Sequence, residues 1–157
     1  MSSRRGTLEA KRHGIKRSDK WPKVEKAHLQ KQPACLVCGS KVNLQVHHIF
    51  PFHYAIALGR PDLELDDRNL ITLCEVAGKD HHLLVGHLDN FKSSNLNVLE
   101  DVKKYKNLSQ ITIENNVQWS KEESGRLKPL NEMTAKDKQA FKTLMNKTFP
   151  RQKQCQN

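Results

Sequence analysis

The sequence predicts an α+β fold, in which a small β, β, α unit is flanked by helices. Three observations lead there. Leu44-Gln45-Val46-His47-His48-Ile49 and Leu70-Ile71-Thr72-Leu73 are short apolar runs bounded by turn residues, and they read as strands. Asp80 follows the second run and can cap a helix from His81 to about Leu88. Cysteines and histidines bracket the unit: Cys35 and Cys38 before it, Cys74, His81 and His82 after the second strand. A small core with such side chains at its ends can be cross-linked by a metal ion.

At 157 residues the chain fits one domain, or a small domain with extensions. We divide it into a basic flexible arm over 1–19, a domain over 20–105 and a C-terminal helical extension over 106–157. Lys and Arg number 27 against 17 Asp and Glu, a formal net charge of +10, which fits a polyanionic partner. No apolar stretch follows the first charges at the N-terminus, so no secretory signal is expected, and no run is apolar enough to span a membrane. The expected compartment is therefore the reducing cytoplasm, where paired cysteines bind metal more often than one another. Cys155, alone in a polar tail, is given no role.

Within the arm, Arg4, Arg5, Lys11, Arg12, Lys16 and Arg17 can neutralise phosphates, with Arg4, Arg5, Arg12 and Arg17 as the DNA-contacting candidates. Ser18 or Asp19 can cap a helix from Trp21-Pro22 to about Gln32, and Pro33 ends it. Cys35-Leu-Val-Cys38-Gly39 has the form of a zinc knuckle: two intervening residues let both sulfurs reach one ion, and the glycine relieves the turn. Phe52 to Leu58 reads as a short helix, and Gly59-Arg60-Pro61 and Asp66-Asp67-Arg68-Asn69 as turns. Asn97 to Tyr105 reads as a helix. Ile111-Thr-Ile and Val117-Gln-Trp read as a hairpin around Asn115-Asn116, and Thr134 caps a helix from Ala135 to about Lys147.

The cysteines and histidines divide into two metal sites. Cys35, Cys38 and Cys74 are three soft ligands for a structural zinc, which wants four in a tetrahedron. The fourth is His81, with Asp80 as the alternative. The second site is a cation held by His47 and His82. Adjacent strand residues point to opposite faces, so His47 and His48 share a site only if the strand ends there, and Phe50-Pro51 suggests that it does. His87 lies five residues beyond His82, about 140° around an α-helix, and is kept as a minor candidate, expected to be structural or DNA-facing ahead of being a ligand. His13, His28 and His53 are given no role.

Val46-His47-His48-Ile49, then Asn69-Leu70-Ile71-Thr72-Leu73-Cys74, then His81-His82, resembles the HNH endonuclease family of the ββα-metal (His-Me finger) superfamily, in its zinc-bound CxxC form. The stretches Phe52 to Leu73 and Leu83 to His87 onward are similar to phage-type members, and the resemblance covers roughly residues 20 to 105. It implies that His48 is the general base, that His47 and His82 hold the catalytic cation, and that Asn69 holds the base in place through hydrogen bonds across the loop. It also implies hydrolysis of phosphodiester bonds in double-stranded DNA to a 5′-phosphate and a 3′-hydroxyl. Besides the zinc, a divalent cation is then needed, Mg2+ or Mn2+ being expected ahead of Ni2+ or Zn2+. A phage packaging or processing partner in a bacterial host follows from the same likeness. Two positions depart from the family pattern: His81 stands where many members have a fourth cysteine, and His47 where many have Asp. The alternative function is a non-catalytic zinc module that binds nucleic acid or a partner. Such a module has no need of Asn69, which a base-orienting role requires.

Overall fold

The computed structural model describes residues 14–91, 93–124 and 127–152. Arg4, Arg5, Arg12 and Cys155 lie outside them.

The fold is α+β, a two-stranded antiparallel sheet among helices. Helix α1 spans Trp21–Lys31, with Pro22 in its first turn, where the missing N–H costs nothing. Strand β1 (Leu44–His48) pairs with β2 (Leu70–Cys74) in a register that sets Leu44 opposite Cys74 and His48 opposite Leu70. The connection contains α2 (Phe52–Ala57) and two 3-10 turns, Pro61–Glu64 and Asp67–Asn69.

Every residue of β2 is buried, so the sheet is covered on both faces. On one face Val46 and Leu70 pack under Trp21 of α1. On the other, Ile71 and Leu73 join the main core. The end of α1 is tied to β2, since Thr72 Oγ1 donates to the Gln32 carbonyl (2.8 Å). The knuckle docks on the same strand, Leu36 N donating to the Thr72 carbonyl at 3.1 Å. Gly39 has φ +75°, a left-handed conformation that glycine adopts without a Cβ penalty.

Downstream come α3 (Val98–Tyr105), α4 (Gln110–Ser124) and α5 (Ala135–Thr148). The hairpin expected around Asn115-Asn116 is instead α4. The alternation of Ile111 and Ile113 suggested a strand. Ile113 and Val117, four apart, are the buried pair, however, while Ile111 is 71% exposed. Ser109 begins this helix by accepting from Thr112 N (3.2 Å), an N-cap signal that the apolar pattern obscured. At α5 the expected Thr134 cap is present as a full capping box with Asp137.

The described residues between 106 and 152 do not form a core of their own. Ile113, Val117, Phe141, Met145 and Phe149 belong to the same cluster as Phe50, Ile71 and Leu73. Arg60 fastens α5 to the loop: its guanidinium is 2% exposed, chelates Asp62 and donates to Asn146 Oδ1 (2.9 Å) and the Phe149 carbonyl (2.8 Å). The Asp62 carboxyl is held below its usual range by those Arg60 hydrogen bonds.

Candidate metal centres

Cys35, Cys38, Cys74 and His81 come together as a group that can hold a metal ion. The knuckle brings two sulfurs, the end of β2 the third, and the first turn after Asp80 the imidazole. Asp80 itself is not in the group. It caps that turn, its Oδ1 accepting from Leu83 N at 2.9 Å.

The spacing is that of a tetrahedron. With metal–sulfur bonds of about 2.3 Å and a metal–nitrogen bond of about 2.05 Å, sulfur–sulfur edges are about 3.8 Å and sulfur–nitrogen edges about 3.6 Å. Cys38 Sγ lies 3.8 Å from Cys74 Sγ, and His81 Nδ1 lies 3.5 Å from Cys74 Sγ and 3.8 Å from Cys35 Sγ. A disulfide would need a sulfur–sulfur distance of about 2.05 Å. All three cysteines are free thiols.

The imidazole is oriented from behind. His81 Nε2 donates to Gln110 Oε1 (3.0 Å), while Gln110 Nε2 donates to Glu114 Oε1 (3.3 Å), which fixes which end of the amide faces the histidine. His81 Nδ1 is left with its lone pair toward the sulfurs. The thiols share charge unequally. Its hydrogen bond with Cys35, and then His81, holds the Cys74 thiol far below its ordinary range, and the same bond together with burial raises Cys35. A soft cation removes that conflict by stabilising every thiolate at once. The donor set is compatible with zinc.

A second group contains His47, His82 and His87. His87, expected only as a minor candidate, is a full member of the group. That expectation assumed an α-helix. Residues His82–Gly86 form a π-helical turn, whose i to i+5 closure brings residues five apart to the same side. The rings of His82 and His87 are 4.8 Å apart, and those of His47 lie 5.2 and 4.8 Å from them.

Hydrogen bonding assigns the tautomers. His82 Nδ1 donates to Glu75 Oε1 (2.9 Å), and His87 Nδ1 donates to the Ser93 carbonyl (2.7 Å). Both oxygens only accept, so both Nε2 atoms of the neutral rings carry lone pairs. Yet these two Nε2 atoms face each other at 3.2 Å. Two lone pairs at that distance repel unless a proton or a metal cation lies between them. His47 Nε2 is buried and has no hydrogen-bond partner among the described residues. Burial first, then the neighbouring His87 and His82, hold His47 well below its ordinary pKa and thus neutral. Three lone-pair nitrogens therefore converge, each fit to bind a metal. Gly86 makes the approach possible: a Cβ there would stand 3.1 Å from His47 Cε1 and Nδ1.

His48 is placed differently from the expectation. Strand β1 stays regular through it, so its ring lies on the opposite face from His47, 4.7 Å from Trp21 and 5.6 Å from Phe52. Phe50-Pro51 ends the strand too late to bring the two rings to one side. His48 Nε2 donates to the Glu64 carbonyl at 2.8 Å, which makes Nδ1 the basic nitrogen. Burial, and next the Arg17 guanidinium, push its pKa down to about 3.

Asn69 is fully buried and bridges the two ends of the loop. Its Oδ1 accepts from Phe50 N (2.8 Å), and its Nδ2 donates to the carbonyls of Phe50 (3.0 Å) and Leu63 (2.9 Å). These contacts fix the backbone two residues after His48 and one residue before the carbonyl that orients it.

Arg17, expected in a flexible arm, is packed against the domain. Its guanidinium lies 4.1 Å from the centres of both Trp21 and Phe52, and 3.6 Å from Glu64 Oε2. Burial pushes its pKa down to about 10. Ser18 N also donates to the Glu64 carboxylate. His28, given no role from the sequence, is a buried residue of α1 with Nδ1 2.8 Å from Asp67 Oδ1. Among the described residues no helix is long and apolar enough to cross a membrane. No protein-family model, curated protein or solved structure matches the chain.

Proposed function

We propose that the chain is a metal-dependent DNA endonuclease of the HNH type, built on a ββα-metal finger with a structural zinc at Cys35, Cys38, Cys74 and His81. The observation that carries this reading is the convergence of His47, His82 and His87 one residue from a histidine whose tautomer is fixed. A three-imidazole set leaves an open position on a tetrahedral ion, as catalytic sites require. His47, His82 and His87 would hold that cation, which would supply positive charge to offset the charge building on a phosphate. His48 Nδ1 takes the proton of the attacking water, its Nε2 being occupied by the Glu64 carbonyl. Asn69 holds the segments that carry both groups. The products would be a 5′-phosphate and a 3′-hydroxyl.

Three imidazoles suit Zn2+ or Ni2+ better than Mg2+ or Mn2+, which prefer oxygen ligands. The +10 charge supports double-stranded DNA as substrate, bound largely through phosphates. A phage origin and a packaging or processing partner remain proposals that rest on the motif likeness alone.

Two observations favour a non-catalytic zinc module instead: the His48 ring lies across the strand from His47, against Trp21, and burial with the Arg17 guanidinium beside it pushes its pKa down to about 3, well below that of a base poised near neutral pH. Plasmid nicking by wild-type and His48→Ala protein, across Zn2+, Ni2+, Mn2+ and Mg2+, separates the two readings. The endonuclease reading expects cleavage with at least one ion and a loss of about 100-fold or more on removing the base. Wild-type protein inert with all four ions, or His48→Ala protein cutting at the wild-type rate, would sink it.

A further inference from the structure

The two metal groups lie on consecutive residues at two places. Cys74 faces the first group, and Glu75, the next residue, holds His82 Nδ1 at 2.9 Å. His81 faces the first group and His82 the second. The segment 75–80 between them is short and braced. Val76 and Lys79 form an isolated bridge, Cys74 Sγ lies 3.3 Å from the Lys79 carbonyl, and Asp80 caps the turn carrying both histidines. Both ends of the segment are thus anchored by ligands of the cysteine site. Both ends also carry parts of the histidine site, a ligand and the carboxylate that sets its tautomer.

We propose that the cysteine site controls the affinity of the histidine site: an ion at Cys35, Cys38, Cys74 and His81 fixes the spacing between Glu75 and His82 and so preorganises the three-histidine centre. With the first ion absent, Cys74 and His81 are released, Glu75 no longer meets His82 at a fixed distance, and the Nε2 atoms of His82 and His87 lose their common focus. Zinc loss or thiol oxidation would therefore disable the second centre without touching any of its ligands. Linkage makes the effect reciprocal, so a filled histidine site also tightens the cysteine site. The coupling does not depend on whether the chain cleaves DNA.

The test uses the full chain and Co2+ as an optical probe. Thiolate-bound Co2+ gives an intense charge-transfer band that imidazole-bound Co2+ lacks, so the two sites are read separately. Co2+ affinity at the histidine site is measured in zinc-loaded wild-type protein, in Cys38→Ser protein, and in a variant with two glycines inserted after Gly78. The insertion lies at the exposed tip of the segment and keeps every ligand of both sites while slackening the tether. Cys38→Ser protein should bind Co2+ at the histidine site about 10-fold or more weakly, in line with the roughly 10–100-fold effects of losing the partners that orient a metal ligand, whereas the zinc-loaded insertion variant, in which the ion still fixes Glu75 and His82 through Cys74 and His81, should keep the wild-type affinity. Circular dichroism checks each fold. If Cys38→Ser protein does not fold, the insertion variant decides alone. Histidine-site affinity within twofold of wild type in folded Cys38→Ser protein, or a loss of about 10-fold or more in the zinc-loaded insertion variant, which would make the loop rather than the ion the spacer, would overturn the proposal.

Discussion

The two centres share a backbone but differ in how their ligands are held. In the cysteine group, three of the four residues are buried and two segments far apart in sequence, the knuckle and the end of β2, are joined directly. The histidine group draws two ligands from one π-helical turn and the third from the strand across from it. The first fills a tetrahedron with protein atoms, whereas the second offers three nitrogens and leaves room for a fourth ligand. A closed set suits a cross-link and an open one suits chemistry. The consecutive pairs Cys74-Glu75 and His81-His82 show how a single turn of chain can supply both.

The largest effect should separate the centres by what each does for stability. Withdrawing metal with a strong chelator under reducing conditions should unfold the domain, because binding at a closed cysteine site is worth on the order of 10 kcal/mol of folding free energy. Loss of the helical circular dichroism signal on chelation, and its return on adding Zn2+, is the expected result. A chelated protein that keeps its melting transition would erase the distinction drawn between the sites.

A smaller effect should single out the histidine centre. Gly86→Ala places a methyl group 3.1 Å from His47, and the crowded core should lose about 1–3 kcal/mol in urea unfolding. It should weaken metal binding at the three histidines while the zinc content from the cysteine site stays unchanged. Equal damage to both sites would mean that the π-helical turn supports them jointly rather than His47 in particular.

The smallest effect should fall on neither. Thr134→Ala removes one hydrogen bond of the α5 capping box, at a cost of about 1 kcal/mol. Because α5 meets the loop through Arg60 and Phe141 rather than through any ligand, both metal affinities should match wild type. A changed affinity in a metal titration would extend the coupled region to the C-terminal helix.

Local signals made much of the molecule readable in advance. Cys35-x-x-Cys38 with Gly39, the apolar runs at 44–49 and 70–73, Asp80 before the histidines and Thr134 before α5 each act within a few residues, and each stands as expected. His81 was legible as the fourth member of the cysteine group because its position after Cys74 leaves few alternatives. Misreadings arose where a local pattern admits two periods. Ile111 and Ile113 alternate like a strand, while Ile113 and Val117 repeat like a helix, and only burial against the core chose between them.

What the sequence alone determined, then, is the two strands, the caps at Asp80 and Thr134 and the chemical identity of the donors, since propensity and side-chain chemistry belong to the residues themselves. Tertiary structure decided their convergence. The π-helical turn that brings His87 to His82 carries Gly86 against His47, a close approach between segments some forty residues apart that leaves no room for a Cβ. The regular pairing of His48 with Leu70 carries its ring to Trp21, and two aromatic rings with Glu64 draw Arg17 from an expected free arm onto the domain. Each outcome depends on which surfaces the folded chain brings together, and no window of neighbouring residues contains that information.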